Sequence, residues 1–268
     1  GNAVHLRSGV RIVGQGARTV LRKAPSVTTQ LTEDTDWYHE HVHLADPTGF
    51  HVGGGVVLRA KHAHGAGRSV MKFTVVDIDG NSARLVRAPH NQARANFWTT
   101  HEATASTLHP LLTANWEHDI VIENLTLDGS RSENEMLDGN YGGCIFLQDC
   151  QNVRIADVRA MNNNGDGISW QVCDDVSVEN CVSEGHANLG LHPGSGSQLT
   201  VMYGHTNRHS NICPLWLCRV RYAVAQQTHI SRLQHPPVHP LHPHNHTNRT
   251  LQPRHDPSCI TLHTIRHT

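Results

Sequence analysis

Four residues in the middle of this 268-residue chain carry side chains that move protons: Asp138, Asp166, His186 and His192. Carboxyl and imidazole groups are the common general acids and bases. Two carboxyl groups about 6.5–9.5 Å apart suffice for inverting hydrolysis of a glycosidic bond. Removing a proton beside a carboxylate instead needs a base and a cation that neutralises the carboxylate. Side chains suited to holding a polar ligand accompany them: Arg131, Glu135, Tyr141, Gln148, Ser169, Gln171 and Asn188. The lysines, all in residues 1–204, are not expected near these groups, so an eliminating base is expected among Arg131, His186, His192 and Tyr141. Glu133, Glu135 and Asp138 form an acidic cluster that could take Ca²⁺, although no repeat-encoded calcium motif is present. His39, His41 and His43 alternate along a strand. Their spacing of about 7 Å is too wide for one ion, so they are read as a solvated face and no metal ligands are assigned.

The elements that gather these residues are legible from a fixed interval. Val153, Val176 and Leu199 are 23 residues apart, as are Ile155, Val178 and Val201, and Ile145, Ile168 and Leu191. Cys150 and Cys173 keep the same step. Apolar positions in register at such a period mark a stacked solenoid. Each half-repeat alternates apolar and polar residues, the pattern of a strand, and Asn, Gly and Asp turns separate the halves. Ile120 and Ile122 precede Val153 and Ile155 by ten positions more than this interval, yet Ile145 precedes Ile168 by the interval itself. Ten extra residues therefore lie between Leu127 and Cys144, in the segment 128–143.

With Ile168 and Trp170 inward, Ser169 and Gln171 point outward, with Phe146 and Gln148 one coil before them and His192 and Gly194 one coil after. Asp166 sits in the turn into this strand, and His186 and Asn188 in the corresponding turn of the next coil. The ten-residue insertion brings Arg131, Glu133, Glu135, Asp138 and Tyr141 to the edge of the same surface.

Asn124, Asp157 and Asn180 recur at one corner and tolerate the left-handed conformation a tight corner needs. Stacked at about 4.8 Å, their side chains can bond along the column. In this the chain resembles the right-handed parallel β-helix family of pectate-lyase-like proteins, well over residues 115–204 and more loosely at the start. The resemblance implies an all-β fold, a right-handed parallel β-helix solenoid with ~23-residue coils, to which residues 49–87 add a small β insertion. It also implies action on polysaccharide, as lyase or glycoside hydrolase, or else a non-catalytic glycan-binding or surface adhesion module. A secreted or cell-surface location and a monomeric state go with that reading. Asn164, Gly165, Asp166 and Gly167 look like the Asn-Thr-Asp-Gly turn of polygalacturonases, and Gly185-His186 like part of their Gly-His-Gly turn. Where that family carries an Asp-Asp pair one coil on, this chain has Asn188-Leu189, and Asp174-Asp175 begins a different corner.

Composition divides the chain. Residues 1–204 contain 15 basic and 22 acidic groups, a formal charge of −7, whereas 205–268 contain seven Arg against Asp256 alone, a charge of +6. The segment 205–268 has no Gly, Glu or Lys, and holds 11 of the 24 His. Of the amino acids whose codons begin with G, 82 lie in 1–204 and only 6 in 205–268. The expected boundaries are 1–48 for a β-helix coil with an irregular segment, 49–87 for the β insertion, 88–204 for the parallel β-helix, and 205–268 for a His/Pro-rich tail read out of frame or disordered. The chain starts within a strand-like pattern, so a preceding coil and cap are expected to be missing. No apolar run reaches membrane-spanning length. The one basic segment lacks an aromatic platform, so nucleic acid is not an expected partner. The cysteines are read as small buried thiols rather than a disulfide framework.

Overall fold

The computed structural model describes residues 3–36, 38–62, 68–87, 95–136, 142–194, 196–203, 206–208, 223–226 and 229–230, with side chains described up to residue 198. Strands Val4–His5, Leu112–Asn115, Gly143–Gln148, Asp166–Gln171 and Leu191–Pro193 stack in parallel as a five-stranded front sheet. Gln151–Ala156, Asp174–Glu179 and Gln198–Tyr203 stack on a second face, and Arg159–Met161, Val182–Glu184 and Thr206–Arg208 on a third. The long strands Arg11–Arg22 and His118–Asp128 run through both of those faces and join them into one sheet. The result is a right-handed parallel β-helix. Among the described residues its only helical turns are Thr99–His101 and Arg131–Glu133, both 3₁₀.

The interval of 23 is realised as strand register. Ile145 pairs with Ile168 and Ile168 with Leu191, while Val153 pairs with Val176 and Ile155 with Val178. These side chains fill the interior together with Trp170, Leu112, Ile120, Ile122, Leu125 and Leu127. Asn124, Asp157 and Asn180 turn one corner at φ 59°, 52° and 50°. Trp116, Asp149 and Val172 turn the corner after the front sheet at φ 56°, 51° and 53°. Asp128 pairs with Met161 and Gly143 with Asp166. The first step is longer than the second by ten, which places the extra residues between 128 and 143.

Leu199 and Val201 do not continue the columns assigned to them. Val176 pairs with Thr200 and Val178 with Met202, a step of 24. Trp170 still pairs with Pro193 at 23, so the extra residue lies in the turn between Pro193 and Gln198. Farther on, Thr200 pairs with Ala223 and Thr206 with His229, again 23 apart.

Residues 25–110 leave the solenoid between the strand ending at Arg22 and the strand starting at Leu112. Residues 129–142 leave it at the same corner of the next coil. The longer excursion folds as a six-stranded antiparallel side sheet with its own core, including Leu58, Met71, Phe73, Val75, Leu85 and Phe97. It is wider than 49–87, because Thr28–Gln30, His41–His43 and Thr104–Thr107 pair at its edges. Strands at a sheet edge expose unpaired backbone groups, and these short segments satisfy them. Val42 is buried between the outward-facing His41 and His43.

At the corner that launches both excursions, Lys23 is buried and its backbone N–H donates to the Asp128 carbonyl at 2.9 Å. Loss of water lowers its amine to about 8. The neighbouring Cys144 thiol is pushed up to about 12 by burial. Cys144, Cys150, Cys173 and Cys181 are all free and buried. The Cys150 N–H donates to Cys173 Sγ at 3.4 Å, and the Cys173 N–H to Ser197 Oγ at 3.3 Å, so this column continues as a serine.

Candidate functional site

The outward side of the front sheet carries two columns. One runs His5, Thr113, Phe146, Ser169, His192, and the other Asn115, Gln148, Gln171. His192 stands at the end of the first with its side chain 12% exposed. Its Nδ1 lies 2.6 Å from Oδ2 of Asp166, whose side chain is fully buried. Oδ1 of Asp166 accepts the Leu189 N–H at 2.9 Å. An ionised carboxylate only accepts, so His192 holds its proton on Nδ1. Nε2 is then the nitrogen available for proton transfer, and the carboxylate fixes the ring's orientation.

The turn that presents Asp166 is built around His186. Its ring is fully buried, Nδ1 accepts the Asn163 N–H at 3.1 Å, and Nε2–H donates to the Ala160 carbonyl at 3.1 Å. Asn163 Nδ2 donates to the Asp166 carbonyl at 2.7 Å, closing the turn. Both ring nitrogens of His186 bind main chain, which makes it a neutral pin rather than an acid or base facing solvent. Gly167 is required here: a Cβ would collide with Ser183 Oγ, the Gly190 carbonyl and His186 Nε2.

The remaining residues singled out from sequence fall into place around this pair. Arg131 Nη1 donates to the Gly185 and His186 carbonyls, each at 3.4 Å, from the edge of the insertion. The Asn188 N–H donates to the Gly165 carbonyl at 2.9 Å, and Asn164 Nδ2 to the Asn134 carbonyl at 2.8 Å, sewing the turn to the insertion. Glu135 pairs with the buried Arg59 of the side sheet at 3.4 Å. Ser169 is buried against the Ile145 carbonyl. Gln171 lies over Gly194, where any side chain would overlap its amide. Asp138 and Tyr141 lie outside the described residues, so of the acidic trio suggested for Ca²⁺ only Glu133 and Glu135 are described. Among the described residues no three His, Cys, Asp or Glu side chains are grouped to hold a metal ion.

Phe146 and Gln148 instead belong to a cleft of about 110 Å³ between the front sheet and the side sheet. His5, Thr113 and Asn115 complete its floor, with Leu108, His109 and Pro110 at one end, and Val56, Lys72, Phe73 and Thr74 form the wall. Lys72 Nζ stands 5.3 Å from the centre of the Phe146 ring. A lysine therefore does reach this face, contrary to the sequence expectation. Lys72 and Phe146 are distant along the chain, and only the folding back of the side sheet joins them. The cleft and His192 share a column two coils apart, about 10 Å at strand spacing.

No described helix is long and apolar enough to cross a membrane. No known protein family matches the chain, and no curated protein resembles it in sequence. Solved structures with a similar arrangement include the tailspike gp61 of Pseudomonas phage phi297, at 12% identity and TM-score 0.35 over 76% of this chain and 40% of that one. The tailspike gp49 of Pseudomonas phage LKA1 gives 12% and 0.30 over the same shares. The Gp54 tailspike of Acinetobacter baumannii bacteriophage AP22, solved with A. baumannii capsular saccharide, gives 14% and 0.30 over 85% of this chain and 53% of that one. The chain thus spans about half the length, or less, of these three structures. The β-helix assignment rests on the register of the chain's own strands.

Proposed function

We propose that the protein acts on a polysaccharide laid along the front sheet, with His192 as the proton-transferring group and Asp166 as the residue that orients it. The 2.6 Å Asp166–His192 contact at the end of the outward column carries this reading. Asp166 is buried with an acceptor bond on each oxygen, which suits an orienting carboxylate better than one that protonates a leaving group. The chemistry supported best is β-elimination: His192 Nε2 takes the proton beside a uronate carboxylate, the electron pair forms a C=C bond as the glycosidic C–O bond at the next carbon breaks, and the leaving oxygen takes a proton from solvent. Hydrolysis would need a second carboxyl group facing the same sugar. Such a protein works where polysaccharide is met, secreted or at a cell surface.

A second reading is a glycan-binding or adhesion module without turnover. It is favoured by the commitment of His186 and Arg131 to main-chain atoms. Incubation with a panel of acidic and neutral polysaccharides separates the two. Growth of unsaturated-uronate absorbance that is lost in His192→Gln supports elimination. New reducing ends without that absorbance support hydrolysis. Retention of glycan without either product supports the module and sinks the catalytic reading.

A further inference from the structure

We propose that Asn164 is a modification site, where the side-chain amide converts to a carboxyl group and thereby frees the Asp166 turn from the insertion. The inference goes beyond the polysaccharide reading and does not need it. Asn164 is the one Asn in the chain followed by Gly. With no Cβ on the following residue, its main-chain nitrogen can approach the side-chain carbonyl carbon closely. The Gly165 nitrogen attacks Cγ of Asn164 and gives up its proton, and a C–N bond forms. The Cγ–Nδ2 bond breaks, and Nδ2 leaves as ammonia with that proton. Water then opens the cyclic imide at either of its carbonyl carbons, giving aspartate or isoaspartate. The step consumes only water.

The local structure favours the reaction here. Asn164 and Gly165 form a bend just before the strand Asp166–Gln171. The Asn188 N–H holds the Gly165 carbonyl at 2.9 Å, but among the described residues no hydrogen bond engages the Gly165 N–H. Asn164 is half-buried, so water reaches its side chain, whereas the neighbouring Asn163 is buried. The consequence follows from one bond. Asn164 Nδ2 donates to the Asn134 carbonyl at 2.8 Å. Asn134 is itself anchored: its Oδ1 accepts the Ser26 hydroxyl at 3.0 Å, and its Nδ2 donates to the Ser130 carbonyl at 3.1 Å. A carboxylate only accepts, so after conversion two acceptors face each other and the tie is lost. Isoaspartate also adds a methylene to the main chain two residues before Asp166, whose carboxylate holds the Leu189 N–H and His192.

Peptide mapping by mass spectrometry of the full chain, held at mildly alkaline pH, tests the site. Asn164 should convert faster than Asn81, which precedes Ser82, and faster than Asn124 and Asn180, with aspartate and isoaspartate both among the products. Asn164→Gln should abolish conversion at this position, because the longer side chain would have to close a larger ring. Hydrogen exchange tests the consequence. In Asn164→Asp the Leu189 N–H should exchange about tenfold faster than in wild type, roughly the worth of one hydrogen bond, while the Val153 and Ile155 amides keep their protection. An Asn164 that stays intact or is outpaced by Asn81 overturns the proposal. So does a Leu189 amide that exchanges in Asn164→Asp as it does in wild type, or a loss of protection that extends to Val153 and Ile155. Neither readout uses a substrate, so failure here leaves the polysaccharide reading standing, and failure of that reading leaves this one.

Discussion

Replacing Lys23 with Met should stabilise the protein at neutral pH and remove a pH dependence the wild type displays. Lys23 is 3% exposed, and burial lowers its amine from 10.5 to about 8. In the unfolded chain the amine titrates at its ordinary value, so between pH 8 and 10.5 the unfolded state binds more protons than the folded one. Stability contributed by this group therefore rises with pH across that window, and below pH 8 the full cost of burying the charge is present. The shift corresponds to about 3 kcal/mol at 1.36 kcal/mol per pKa unit. Methionine matches the unbranched stem and has no charge to bury. Urea unfolding followed by circular dichroism at pH 7, 9 and 10 gives the difference curve, in which other titrating groups cancel. Lys23→Met should exceed wild type by up to about 3 kcal/mol at pH 7, with the gap narrowing at pH 9 and further at pH 10. A gap that stays constant with pH, or a variant less stable at pH 7, would refute the reasoning.

Two further outcomes follow from the same geometry. His186→Ala leaves the Asn163 N–H and the Ala160 carbonyl without their buried partner and should cost about 2–5 kcal/mol in urea unfolding. His192→Gln, at the surface end of its column, should cost well under half of that, so activity and stability separate at the two histidines. Arg154 bridges Glu123 and Glu179 on the exposed second face at 3.0 and 2.8 Å. Arg154→Ala should cost less than about 1 kcal/mol, and the difference should shrink as salt is raised to 1 M.

The solenoid was readable because Ile145, Ile168 and Leu191 occupy identical places in coils of equal length. The slip at Leu199 was not readable, since the segment Leu199-Thr200-Val201-Met202 offers apolar residues at either parity. The 49–87 hairpin region showed itself through the Asp79-Gly80-Asn81 turn, but its partners at 28–30 and 104–107 pair over long distances that leave no local trace. At the site, sequence brought Asp166 and His192 to one surface without showing that they bond. It also gave His186 and His192 equal standing, and only the ring contacts divide a main-chain pin from an outward base. Gly167 is a usable signal, because the absence of a side chain there makes the room His186 fills. Lys72 had no signal at all, as its nearness to Phe146 depends on how the side sheet folds over the solenoid.

Both excursions leave the β-helix at one corner, and this assigns the two halves of the cleft to independent stretches of chain. Phe146 belongs to a coil whose register is set by pairing with the strands before and after it. Lys72 belongs to an excursion that leaves the solenoid after the strand ending at Arg22 and returns at the strand starting at Leu112. The floor and the wall of the cleft can therefore change separately. A relative with the same coils and a different side sheet would keep Phe146 on the front sheet while changing the wall that faces it.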